Sequence, residues 1–196
     1  MMSRPPQSAL RGTALLFIGR SISRMFGLVR EVLSAALFGA GAAMDCFNLS
    51  FTAVTGMRQL FAEQFLTPIV PTYFKRLNES GEQGALRSLQ SITTRLHLVA
   101  LLVSVAAFIW AGQIVYLIAP GFGPEKVKLS TTLLRWFAVG GVAITLHRYY
   151  SGLHSCFFQY TAIAFAPLLL NVGAILAMVF FGVKLGIISL AAGISL

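Results

Sequence analysis

The chain has 196 residues, 57% of them hydrophobic and 11% charged, and a mean hydropathy of +0.79. A soluble domain carries about 25% charged residues, so the class is a polytopic membrane protein; at about 20 residues per span the length holds five or six helices and no separate soluble domain. The net charge of +9 does not point to nucleic acid, because no basic patch with interleaved aromatics stands outside the apolar segments.

Residues 1–11 (MMSRPPQSALR) form a polar tail whose Arg4 and Arg11 mark the cytoplasmic side by the positive-inside rule. Arg20, Arg24 and Arg30 interrupt the apolar run that a cleaved signal peptide would need. The first helix is expected over 13–38. At 100° per residue, Arg20, Ser23, Arg24, Gly27, Arg30 and Glu31 fall within an arc of about 120°, opposite an arc of Leu, Ile, Phe and Val. Arg24 and Arg30 lie roughly 9 Å apart in depth, too far for both to reach one interface by snorkelling. GAGAA, from Gly39 to Ala43, is a turn short enough to make the flanking helices antiparallel neighbours.

The second helix is expected over 44–74, kinked or ended by Pro68 and Pro71. Asp45, Asn48, Thr52, Gln59 and Glu63 share one face within about 60°. Arg58 lies about 100° from Gln59 on the same wheel, and a loosened turn at Thr55-Gly56 would swing it inward. Lys75 to Gln90 is the longest polar stretch and the second cytoplasmic marker, with an interfacial helix starting between Arg87 and Arg95. Spans follow over 96–119, 129–153 and 161–183, and a truncated segment over 187–196. Trp110 and Tyr116 sit like an outer aromatic belt. Lys126 and Lys128 in the outer loop run against the positive-inside rule, with Glu125 offsetting one. Arg135, His147 and Arg148 read as interfacial anchors. The expected fold class is therefore all-α: one transmembrane unit over residues 1–196, with five full helices and the start of a sixth.

Charges inside these spans need a reason, since each costs about 2.5–3.5 kcal/mol to insert at the bilayer centre. Arg24, Arg30, Glu31, Asp45, Arg58 and Glu63 can face a wet, protein-lined cavity that handles a charged cargo. They can also pair with one another, for instance Arg24 with Glu31 or Asp45. No P-loop, Gly-rich nucleotide fingerprint or G-x-S-x-G elbow is present. Cys46 and Cys156 lie in apolar stretches without metal-ligand spacing, and His97, His147 and His154 are scattered. Neither a cofactor, a metal nor an enzymatic reaction is expected.

SRMFGLVRE, FGAGAAMDCF, MRQLFAEQF, IVP and IAFAPLLLN, in this order and spacing, resemble the N-terminal part of the MurJ/MviN lipid II flippases of the multidrug/oligosaccharidyl-lipid/polysaccharide exporter superfamily. The resemblance runs from Ser23 to Asn171. It implies half of a two-lobe, fourteen-helix fold around a central cavity in the bacterial cytoplasmic membrane. It also implies translocation of the undecaprenyl-linked peptidoglycan precursor, with Arg24, Arg30 and Arg58 on the precursor's diphosphate and Asp45 as the acidic residue after the first turn. Guanidinium forks suit such an anion because they meet its oxygens bidentately. Glu31, Asn48, Gln59 and Glu63 are secondary cavity candidates. Gln59 stands where the family often has a second arginine, Val54-Thr55 where it has Pro-Asn, and Gln64 where it has Gly. The expected partners are a lipid-linked diphosphate glycan, membrane lipids and a second lobe from the same or another chain. Related exporters of other lipid-linked oligosaccharides or drugs, and an inactive remnant, are the alternatives.

Overall fold

The computed structural model describes residues 9–39, 41–61, 68–157 and 160–195. They form seven helices: α1 Ala9–Phe38, α2 Ala42–Phe61, α3 Ile69–Ile109, α4 Ala111–Ile118, α5 Pro124–Cys156, α6 Tyr160–Leu185 and α7 Ile188–Ser195. There is no strand among the described residues. Helices over 69–109, 124–154 and 163–185 are long and apolar enough to cross a membrane. The charge-bearing α1 and α2, of 30 and 20 residues, are not among them. Large apolar side chains such as Leu102, Leu169, Phe180 and Val183 project outward. In water such a surface would be an aggregation patch; in a bilayer it is the lipid-facing wall. The chain is an all-α membrane helix bundle.

The short turn after α1 is built on Gly39, whose φ of 65° is the left-handed conformation that glycine adopts without a Cβ penalty. Its N–H donates to the Ala35 carbonyl at 2.9 Å. The polar stretch from Lys75 to Gln90 is helical rather than a loop. It is rich in good helix formers, and Glu79 lies 3.9 Å from Lys75 and 3.6 Å from Arg76, one turn away. The break comes at Gly81, with φ 69° and ψ −174°, which folds α3 into a short arm and a long arm. The second expected span, 44–74, is likewise two helices, α2 and the first arm of α3; residues 62–67 between them lie outside the described residues.

Packing pairs the helices in a pattern that sequence adjacency does not give. α1 lies along α6, and α2 along α5. Both pairs are parallel, as contacts at successive positions show. Gly12 meets Tyr160 and Gly19 meets Ala164, while Ser23 bonds Asn171 and Ser34 bonds Met178. On the second seam, Cys46 and Ser50 bond the carbonyls of Lys126 and Ser130. α3 runs antiparallel to α5, and α7 folds back on α6 while also touching α5.

The turn expectation of adjacent neighbours therefore needs correction, because α1 and α2 are joined but do not pack along each other. Each is committed to another partner. The small residues of α1 admit α6 closely, and Phe47 and Phe51 of α2 set their rings edge-on to Phe137 of α5 at 5.3 and 5.4 Å. The core beneath holds Cys46, Leu133, Met178 and Leu190.

At the opposite end of the bundle, the α3 elbow closes on α5 through Ile69, Tyr73, Leu89, Leu96 and Tyr149. Tyr149 is fully buried. Its hydroxyl donates to the Leu89 carbonyl at 3.3 Å and also meets the Thr93 hydroxyl. Tyr149→Phe is expected to cost about 0.5–1.5 kcal/mol, the net contribution of one hydrogen bond, because the Thr93 hydroxyl still donates to the Leu89 carbonyl at 2.7 Å. Chemical denaturation of the micelle-solubilised chain, followed by circular dichroism, measures it.

Candidate functional site

The separation of α1 from α2 leaves a wedge. Its inner part is a cavity of about 430 Å³ with Arg30, Glu31 and Ser34 on the α1 wall, Phe47, Asn48 and Phe51 on the α2 wall, and Leu190 and Ile194 of α7 as floor. A second cavity of about 410 Å³ continues along α1, lined by Ser23, Arg24, Gly27, Arg30, Glu31 and Asn171. The two share Arg30 and Glu31, so they form one cleft with an apolar end and a charged end. A third groove of about 760 Å³ runs along the outer face of α2 past Asp45, Asn48, Thr52 and Gly56. Asn48 belongs to both sides.

The polar arc of α1 is split in use. Ser23 and Gly27 turn to α6, while Arg24, Arg30 and Glu31 line the cleft. Asn171 holds this arrangement: its side-chain amide donates to the Ser23 carbonyl at 3.1 Å, the Ser23 hydroxyl at 3.2 Å and the Pro167 carbonyl at 3.2 Å. Pro167, inside α6, has no N–H to give to the helical ladder. Asn171→Leu is expected to loosen α1 from α6 by about 0.6–1.7 kcal/mol, the range of single polar pairs between membrane helices; unfolding midpoints in mixed micelles would show it.

Arg24 stands near the middle of α1, exposed, with no ion pair among the described residues. Arg30 is half-buried and lies 3.5 Å from Glu31, its sequence neighbour. Asp45 pairs with neither. It sits 3.3 Å from the Lys126 amine, which also caps the Phe122 ring at 5.1 Å. The pair ties the first turns of α2 and α5 together, Lys126 standing in helix rather than in the loop expected there. The pair is largely solvated, so Asp45→Asn should change stability by under about 1 kcal/mol, less at high salt. A thermal-shift comparison at low and high salt reads this out.

Arg58 is not brought to the cleft. α2 stays helical through Thr55-Gly56, so no loosened turn swings Arg58 inward, and it enters the seam of α2, α3 and α5 beside Met57, Ala100, Ser104 and Thr145. Gln59 is exposed on the surface of α2. Glu63 lies outside the described residues. Residue patterns did not single out Asn171 as part of the site, although a lone amide inside an apolar span is the signal that could have done so. Phe47, Phe51, Leu190 and Ile194 gave no signal, because they look like any core apolar side chain.

The chain is thus a membrane helix bundle with a cleft whose α1 wall carries Arg24 and Arg30. A family model described as "Lipid II flippase MurJ" matches residues 34–196. The chain is 31% identical over 163 residues to the probable lipid II flippase MurJ of Buchnera aphidicola subsp. Acyrthosiphon pisum, covering 82% of this chain and 32% of that protein. It is 34% identical over 157 residues to the probable lipid II flippase MurJ of Rhizobium meliloti, covering 76% and 29%. It is 32% identical over 162 residues to the lipid II flippase MurJ of Burkholderia cenocepacia, covering 81% and 31%. The chain belongs to the MurJ family, and it spans about a third of the length of these curated relatives.

Proposed function

We propose that this chain forms one lobe of a translocator that carries the lipid-linked peptidoglycan precursor across the bacterial cytoplasmic membrane, with its N-terminus in the cytoplasm. In this reading α1, α2 with the first arm of α3, the second arm with α4, α5 and α6 are five spans, and α7 begins a sixth. The observation that carries it is Arg24: a guanidinium on the cleft wall at mid-helix, with no carboxylate within ion-pair distance among the described residues. A cation held at that depth is stabilised when an anion occupies the cleft, and a diphosphate offers several acceptor oxygens to its planar fork. Arg30 is the second donor, about 1.7 turns away. The apolar end at Phe47, Phe51 and Leu190 suits the hydrocarbon next to such a headgroup.

For Glu31 and Asp45 the pairs with Arg30 and Lys126 favour structural roles over contact with cargo. Alternating access needs two halves rocking around a site, so the lobe works with a second one, on the same or a separate chain. Cells depleted of their own flippase and supplied with residues 1–196 test this. Growth is expected only when a second lobe is supplied as well; sustained growth on this lobe alone would overturn the two-lobe reading. Precursor left on the cytoplasmic leaflet even with both lobes would overturn the function.

A further inference from the structure

Outside the cleft, α3 and α5 present adjoining apolar faces. Leu101, Leu102, Val105, Phe108 and Ile109 are exposed on α3, and Trp136 and Val139 on α5. One charge interrupts them. Between Leu129 and Leu146 the sequence has Arg135 and no other charged residue, and between Leu98 and Trp110 it has none. Arg135 is exposed and carries no ion pair among the described residues. Its guanidinium lies 5.5 Å from the centre of the Phe108 ring, a cation–π contact that fixes the fork over the α3 face. A cavity of about 350 Å³ opens there, lined by Phe108, Thr132, Arg135, Trp136 and Val139.

Arg135 is eleven residues into α5, roughly 16 Å from the first turn. That is deeper than the lysines at the same end, Lys126 and Lys128, and its long stem lets the guanidinium extend toward the headgroup layer. The hydroxyl of Thr132 donates to the Lys128 carbonyl at 3.1 Å, so it offers a neighbour only acceptor lone pairs. Among the described residues Arg135 is the one cationic donor lining the pocket, and none of the pocket's lining residues lines the cleft. We propose that this pocket binds the headgroup of an anionic phospholipid from the surrounding leaflet at the Lys126–Lys128 end. The guanidinium takes the phosphate, whose oxygens its planar fork can meet bidentately, and the ring of Trp136 and the side chain of Val139 flank the first part of the acyl chains. The phospholipid supplies a counter-charge that the described residues do not.

The chain contains two tryptophans, Trp110 and Trp136, so Trp110→Phe leaves a single reporter in the pocket. The reporter chain is reconstituted in phosphatidylcholine vesicles with a minor fraction of phosphatidylglycerol, brominated on one lipid or the other. Quenching by brominated phosphatidylglycerol is expected to exceed its share of the bilayer. Arg135→Gln should lower the preference about tenfold, the scale of one lost charge-assisted hydrogen bond. Arg135→Lys should keep part of it, and Lys128→Gln, with the same change in net charge, should keep all of it. Circular dichroism confirms that each variant is folded; if Arg135→Gln is not, Phe108→Leu, which removes only the ring, replaces it and should weaken the preference. Equal quenching by both lipids in the parent chain, or an equal loss in Lys128→Gln, overturns the proposal.

Discussion

Replacing Arg24 by alanine is expected to reduce precursor translocation by on the order of a hundredfold or more while leaving the protein at normal levels in the membrane. The magnitude follows from losing a bidentate guanidinium–phosphate contact, since each hydrogen bond to a charged group contributes about 1.5–3 kcal/mol. Stability should not fall, because Arg24 makes no ion pair among the described residues and its removal leaves no described carboxylate alone in the membrane. Removing an unpaired cation from a spanning helix should, if anything, ease insertion. Arg24→Lys should recover only part of the rate, because an ammonium is a point charge without the fork. The measurement is precursor exposure on the outer leaflet in cells depleted of the native flippase, beside a membrane-fraction blot. Arg58→Ala provides the contrast. Arg58 lies in the α2–α3–α5 seam beside Ser104 and Thr145, so its loss should lower the unfolding midpoint. Intact stability with abolished transport in Arg58→Ala would instead place that side chain on the cargo path, as the family resemblance implies. Loss of insertion in Arg24→Ala would assign Arg24 to structure.

Gly19→Leu is the second substitution with a large expected effect, and it acts without touching the cleft. A Cβ at Gly19 would sit 2.5 Å from the Ala164 carbonyl oxygen and 2.7 Å from the Ala164 Cβ. The obstacle is backbone, which cannot turn aside as a long side chain can. Overpacking a tight seam costs about 1–3 kcal/mol and sometimes more, and close approach of small residues is what holds membrane helices together. We expect α1 to part from α6, which displaces Ser23 from Asn171 and moves Arg24 and Arg30 with it. Translocation and the unfolding midpoint in mixed micelles should then fall together. Gly193→Leu should behave alike at the α6–α7 crossing, where the added atom meets the Ala174 Cα at 2.7 Å. Gly56→Ala is the control, with nothing within 4 Å of its Cβ; it should be neutral or slightly stabilising, because alanine is the better helix former. Normal folding of Gly19→Leu would mean that α1 is not held by this seam.

The residues themselves carried the class of this protein. Hydropathy and charge content require a membrane bundle, because a helix of about 20 apolar residues has one stable environment. The helical period also placed Arg24, Arg30 and Glu31 on one side of α1, and Asp45, Asn48 and Thr52 on one side of α2, since the period is a property of the backbone and needs no partner. Ordered blocks such as SRMFGLVRE and IAFAPLLLN were enough to mark the family resemblance. Periodicity does not say which helix lies against which. The GAGAA turn suggested that α1 and α2 pack together, yet small residues spaced along α1 find their complement on α6, over a hundred positions away. Phe47 and Phe51 find theirs at Phe137. The cleft is the space left by those two choices, so no local pattern encodes it. The same holds for Arg58, which the wheel set apart from the Gln59 face but could not assign to the α3–α5 seam, and for Asp45, whose partner Lys126 stands in the first turn of α5, over eighty positions away. The sequence by itself determined the solvent this chain requires and the faces its helices present; the tertiary structure decided which faces meet and which charges share a space, because side-chain shape complementarity acts between residues far apart in the chain.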